Sequence, residues 1–232
     1  MAGSLEDVTL LMPDSVSPAA VAYDGEFFYA VNGLDARVFV FASDGRYIDS
    51  FRTVRAYRTA RYSNAGNAFC CVGAGCRSGI YLLNGRFEET AYVPLESGSE
   101  NQDRYICDAA LSETGDAFEV TKRDSLELYA RNGEFITTAA RAGEGREFAL
   151  WAQSGGVSAV YYYKNGLPFL TVDGEGGVLP GCTKMRSFIT QGGNIYGAFS
   201  EGYLYTKTGP VYGAGVISRK PFGANAAKRG CV

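Results

Sequence analysis

The sequence returns to the same pattern about every forty residues, and this recurrence limits the fold more than any other feature. A glycine, one further residue and then an apolar stretch recur at Gly25, Gly66, Gly115, Gly155 and Gly193, with spacings of 41, 49, 40 and 38 residues. A second signal separates two alternating stretches: Asp44-Gly45, Asn84-Gly85, Asn132-Gly133, Asp173-Gly174 and Thr208-Gly209. Asn-Gly and Asp-Gly accept positive φ at both central residues, so they close tight hairpins. No segment has a helical period. The 30 glycines, roughly twice the usual ~7 %, suit a chain rich in turns.

Counting back from each turn glycine gives three columns. Six residues before it stand Ala19, Ala60, Ala109, Ala149 and Ser187, which are all small. Four before it stand Val21, Tyr62, Leu111, Trp151 and Ile189, which are bulky, and three before it Ala22, Ser63, Ser112, Ala152 and Thr190. Small side chains are expected where similar sheets crowd an axis, and bulky ones where neighbouring sheets pack. Each unit reads as four short strands, in the first unit about 19–23, 27–32, 37–42 and 46–51. The expected fold is all-β: a five-bladed β-propeller with four-stranded antiparallel blades, one domain over 1–217. The blades fall at about 15–52, 53–94, 95–140, 141–182 and 183–217. A strand within 5–13 is expected to close the ring against 211–216, removing exposed sheet edges. The tail, 218–232, carries Arg219, Lys220, Lys228 and Arg229 without an acid and reads as solvated or loosely docked.

Two stretches carry a resemblance. RVFVFASDGRYIDSF at 37–51 and SLELYARNGEFITT at 125–138 resemble the outer hairpin of an NHL-type propeller blade. The resemblance extends over about 15–217 and implies blade architecture. NHL-type propellers commonly carry six blades, and five units are counted here.

Composition removes several chemistries. There is no histidine, so neither a Ser-His-Asp triad nor a Cys-His pair can be built, and histidine metal sites are excluded. Six cysteines are too few for a disulfide scaffold and lack zinc-ligand spacing, so reduced, buried thiols and no metal site are expected. Gly73 to Gly79 is glycine-rich but no helix follows, which makes it a connector rather than a phosphate loop. No cofactor is implied. A net charge of −3 and a pI near 5.2 give no reason to expect nucleic acid, and no apolar run is long enough for a bilayer. The N-terminus lacks signal-peptide features, so the chain as written reads as cytoplasmic, or as secreted or cell-surface had it been trimmed. A monomer or weak homo-oligomer is expected.

Candidate site residues lie where the first strand of each unit begins. Arg58, Arg104, Arg146 and Arg186 stand 8, 11, 9 and 7 residues before the turn glycine of four units. Guanidinium groups gathered at one mouth would attract a carboxylate, a phosphate or an acidic peptide. The plainer expectation is that each pairs with a nearby acid such as Asp103, Asp108, Glu144 or Glu147. Glycoside hydrolysis is the enzymatic alternative, and it needs two carboxyl groups roughly 5–9.5 Å apart facing one cavity. Asp108 and Glu147 are the candidates. A lectin-like carbohydrate binder is the third reading, although the matching columns are core columns and Trp151 belongs to one of them. The sequence therefore favours a non-enzymatic scaffold that binds a protein or an anionic small molecule.

Overall fold

The structure is a computed structural model that describes residues 8–13, 18–75, 78–96, 105–179, 183–201, 204–206, 209–211 and 215–217; its regular elements are all strands. After β1 (Val8–Leu10), the first sheet comprises β2 (Ala20–Tyr23), β3 (Phe27–Val31), β4 (Arg37–Ala42) and β5 (Tyr47–Arg52). The second comprises β6 (Tyr57–Ser63), β7 (Ala68–Gly73), β8 (Gly79–Leu83) and β9 (Glu89–Pro94). The third comprises β10 (Ile106–Leu111), β11 (Ala117–Lys122), β12 (Ser125–Ala130) and β13 (Phe135–Arg141). The fourth comprises β14 (Arg146–Ser154), β15 (Val157–Lys164), β16 (Leu167–Val172) and β17 (Glu175–Val178). Within each of these sheets the strands pair in chain order and antiparallel.

The remaining strands are β18 (Thr183–Gln191), β19 (Asn194–Glu201), β20 (Leu204–Thr206), β21 (Gly209–Val211) and β22 (Gly215–Ile217). Here the order changes: another four-stranded sheet runs β18, β19, β22, β1, and β20 pairs with β21 alone. β1 lies against β22 in the register Val8↔Ile217, Thr9↔Val216 and Leu10↔Gly215. The Thr208-Gly209 signal thus belongs to a separate hairpin, with Thr208 itself outside the described residues. The other four turn pairs do link third and fourth strands. Asp173 (φ 49°) and Gly174 (φ 81°) both take positive φ in the two-residue turn closed by Val172↔Glu175, as a turn of the primed type requires.

The first strands β2, β6, β10, β14 and β18 pack each against the next, and β18 packs back against β2. This is the arrangement of a β-propeller with four-stranded antiparallel blades. Apolar layers fill the spaces between neighbouring sheets. Phe28 and Ile189 share one, Ala60 and Tyr29 another, and Phe118 and Cys70 a third. Trp151 and Leu126 share the next, and Phe188 and Tyr161 the last. Each fully buried phenylalanine contributes about 1.5–3 kcal/mol. Strand alternation sends the adjacent cysteines to opposite layers, Cys70 toward the third sheet and Cys71 toward the first. Burial pushes both thiols up, away from reactivity. Cys76, Cys182 and Cys231 lie outside the described residues.

The columns counted from the turn glycines do not superpose. The turn after β6 leaves four residues beyond Ser63↔Ala68, whereas β14 and β18 close on two, at Ser154↔Val157 and Gln191↔Asn194. Measured from the ladder, Ala60 and Ala109 align with Trp151 and Phe188, so the small column holds in the second and third sheets and slips elsewhere. A shared irregularity replaces it. Each of β6, β10, β14 and β18 bulges once, at Arg58, Cys107, Ala149 and Arg186. A bulge re-aims the side chain it carries.

One polar network is enclosed between the second and third sheets. Lys122 Nζ lies 2.7 Å from Glu127 Oε2, with side chains 5 % and 0 % exposed. Lys122 also donates to Tyr129 Oη at 2.9 Å, and Tyr129 and Ser125 donate to the two Glu127 oxygens. Every oxygen of the buried carboxylate is therefore matched, which is the condition under which such a charge persists.

Candidate functional site

Two mouths terminate the axis, and the candidate arginines that are described stand at one of them. At the mouth where the first strands begin, Arg58 and Arg186 occupy the bulges and Arg146 opens β14. Arg104 and Asp103 lie outside the described residues. Arg58 stacks over Tyr105 at 4.2 Å and donates to the Ile106 carbonyl, and Arg146 stacks over Tyr162 at 5.0 Å. Asp108 is 1 % exposed, whereas Glu147 is exposed and lines neither of the cavities described below.

Asp108 is matched to a residue that sequence reasoning passed over. Arg61 Nη1 donates to Asp108 Oδ2 at 2.8 Å and to the Trp151 carbonyl at 3.2 Å. One guanidinium on β6 thus ties together the first strands of the second, third and fourth sheets. In the same register the other sheets place Ala22, Ala110, Ala152 and Ile189, so Arg61 has the space those smaller residues leave. Asp108 Oδ1 has no hydrogen-bond partner among the described residues, and the Ala109 amide gives the carboxyl group partial support. Burial pushes the Asp108 carboxyl above its ordinary range, and Arg61 opposes that shift.

The opposite mouth is made by the turns that follow the first strands. Gly155 (φ 58°) comes so close to its neighbour that an added Cβ would strike the Gly193 carbonyl, and a side chain there would wedge the rim open. Beneath the rim is a cavity of about 70 Å³ lined by Arg61, Ser63, Glu113, Glu119, Gln153 and Thr190 among others. A wider groove of about 290 Å³ between the third and fourth sheets shares Glu113, Glu119, Gln153 and Ser154. Glu113 caps the neighbouring turn, accepting from the Gly155 amide at 3.1 Å and from Ser154 at 3.3 Å.

Glu119 is 6 % exposed. Burial raises its carboxyl to about 7, while Arg61 and the Gln153 amide hold the rise in check and Asp108 and Glu113 add to it. Near neutrality this group can therefore donate or accept a hydrogen bond. No group of three or more potential metal ligands forms among the described residues.

The pH consequence has a definite sign. A carboxyl raised in the folded state favours folding most where it is protonated, so stability falls as pH climbs from about 4.5 to about 7. The shift corresponds to about 3 kcal/mol. Glu119→Gln is expected to lose that decline, and urea unfolding at pH 5 and pH 8 measures it. An equal decline in the variant would refute the assignment.

Sequence reading confined the search to the entrances of first strands and so missed Arg61 and Glu119. Both had a signal: a charged residue between two core residues, Ala60-Arg61-Tyr62 and Phe118-Glu119-Val120.

No family model and no curated protein matches the sequence. Among solved structures, Kuenenia stuttgartiensis hydrazine synthase aligns at a TM-score of 0.50 and 14 % identity, over 80 % of this chain and 65 % of that one. The chain thus spans just under two thirds of that protein's length. Streptogramin B lyase aligns at 0.49 and 14 %, over 96 % of this chain and 74 % of the other. The β-propeller domain of Myceliophteria thermophila Cps50 (Swd1) aligns at 0.48 and 12 %, over 88 % and 84 %. At such identities the likeness concerns fold alone. Together with sheets standing around one axis, it makes this chain a β-propeller of four-stranded antiparallel blades.

Proposed function

We propose that the protein is a non-enzymatic binding scaffold, a five-bladed ring whose turn-end cavity receives a small polar group of its ligand. The blade count is supported by the cyclic packing of β2, β6, β10, β14 and β18. The binding reading is supported by how the charges at the cavity are used. Arg61 is committed to Asp108 and Trp151, Glu113 to the Gly155 turn, and Glu119 to the Gln153 amide. Catalysis by carboxylates needs groups poised toward a substrate, and these are turned toward the protein. What remains for a ligand is neutral: Ser63, Gln153, Ser154, Thr190 and Gln191 offer hydroxyls and amides. That lining suits hydroxyl- or amide-bearing groups.

The glycoside-hydrolase reading keeps one supporting observation, since Glu113 and Glu119 share the cavity and differ in environment. A glycan array read beside a set of chromogenic glycosides separates the two. Retention of glycans without chromophore release is the expected outcome. Chromophore release that disappears in Glu119→Gln would overturn the scaffold reading.

A further inference from the structure

We infer that the mouth opposite this cavity is a binding site for a small molecule bearing an oxyanion, phosphate or carboxylate, held by Arg58, Arg123 and Arg146. Arg123 joins the set through folding alone. It lies in the connection between β11 and β12, yet its guanidinium stands 5.1 Å from the Tyr105 ring that also carries Arg58 at 4.2 Å. Its carbonyl accepts from the Phe148 amide at 2.8 Å, which fixes the connection beside the start of β14 and hence beside Arg146. Three guanidinium groups from the second, third and fourth sheets therefore face one mouth.

None of the three forms an ion pair among the described residues. Asp108, which feels the Arg58 charge, has its aligned oxygen bonded to Arg61. Arg58 Nε is buried and has no hydrogen-bond partner among the described residues. Stacking on tyrosine rings holds a guanidinium's plane while leaving its edge donors outward. Like charges gathered without an ion-paired carboxylate among the described residues, with a donor withheld from water, are what an anion carrying several oxygens would complete. This inference is independent of the cavity reading, because the two mouths lie at opposite ends of the strands.

The test is isothermal titration with inorganic phosphate, pyrophosphate and citrate at 50 mM and 500 mM salt. Wild type is expected to bind at least one of these saturably and more weakly at high salt. Arg58→Gln with Arg123→Gln is expected to weaken binding about 10- to 100-fold, as loss of charge-assisted hydrogen bonds implies. If that pair melts early, Arg123→Gln with Arg146→Gln keeps the half-buried Arg58 and must still weaken binding. Glu119→Gln must leave anion binding unchanged, so failure of one site does not mimic failure of the other. No saturable binding of any probe, or equal binding in the arginine variants, overturns the inference. Retention on a heparin column without binding of small anions would also overturn it, in favour of a polyanion surface.

Discussion

Arg61→Leu is expected to destabilise the fold by about 3–5 kcal/mol, the usual cost of stripping a buried charge of its partner. The variant leaves Asp108, 1 % exposed, with one oxygen already lacking an aligned partner and the other newly orphaned. It also frees the Trp151 carbonyl, so the second, third and fourth sheets lose their common tie. Urea unfolding at pH 8 reads the loss directly. The double variant Arg61→Leu with Asp108→Leu is expected to regain most of it, because two apolar side chains need no counter-charge. A single-variant loss below about 1 kcal/mol, the range of exposed ion pairs, would show that the pair is solvated rather than buried.

Lys122→Met should cost about as much, on the order of 3–5 kcal/mol. Glu127, 0 % exposed at its side chain, would keep Ser125 and Tyr129 as donors but lose its cation. The carboxylate would then be buried with hydrogen-bond donors but without its counter-charge, and the double variant Lys122→Met with Glu127→Gln is expected to recover most of the loss. Chemical unfolding of the single and double variants tests the claim. A double variant no more stable than Lys122→Met would mean the carboxylate finds another partner.

What the sequence made legible was punctuation. Asp44-Gly45, Asn84-Gly85, Asn132-Gly133 and Asp173-Gly174 located outer hairpins because their backbone needs are local and specific to residue type. Register was less legible, since it depends on how many residues each turn uses. Two-residue turns at Gly155-Gly156 and Gly192-Gly193 shift β14 and β18 relative to β6, and no single column count can absorb that. The sites were hardest to see. Arg61 meets Asp108 and Trp151 through packing between sheets whose residues are remote in the chain, and Arg123 meets Tyr105 only where the β11–β12 connection returns to the start of β10. Searching the first strands alone also left out Glu119, which reaches the cavity from a second strand.

The pairing of β1 with β22 has a consequence for biosynthesis. Four of the sheets are contiguous in the chain, so each can assemble as soon as its own segment has left the ribosome. The remaining sheet needs Val8–Leu10 and Gly215–Ile217 together, and β1 must wait until the segments of the other four sheets have been translated. Bringing such distant segments together carries a larger loop-closure entropy than any neighbouring hairpin. During that wait the nascent ring is an open arc with a sticky end, and chaperone protection matters most there.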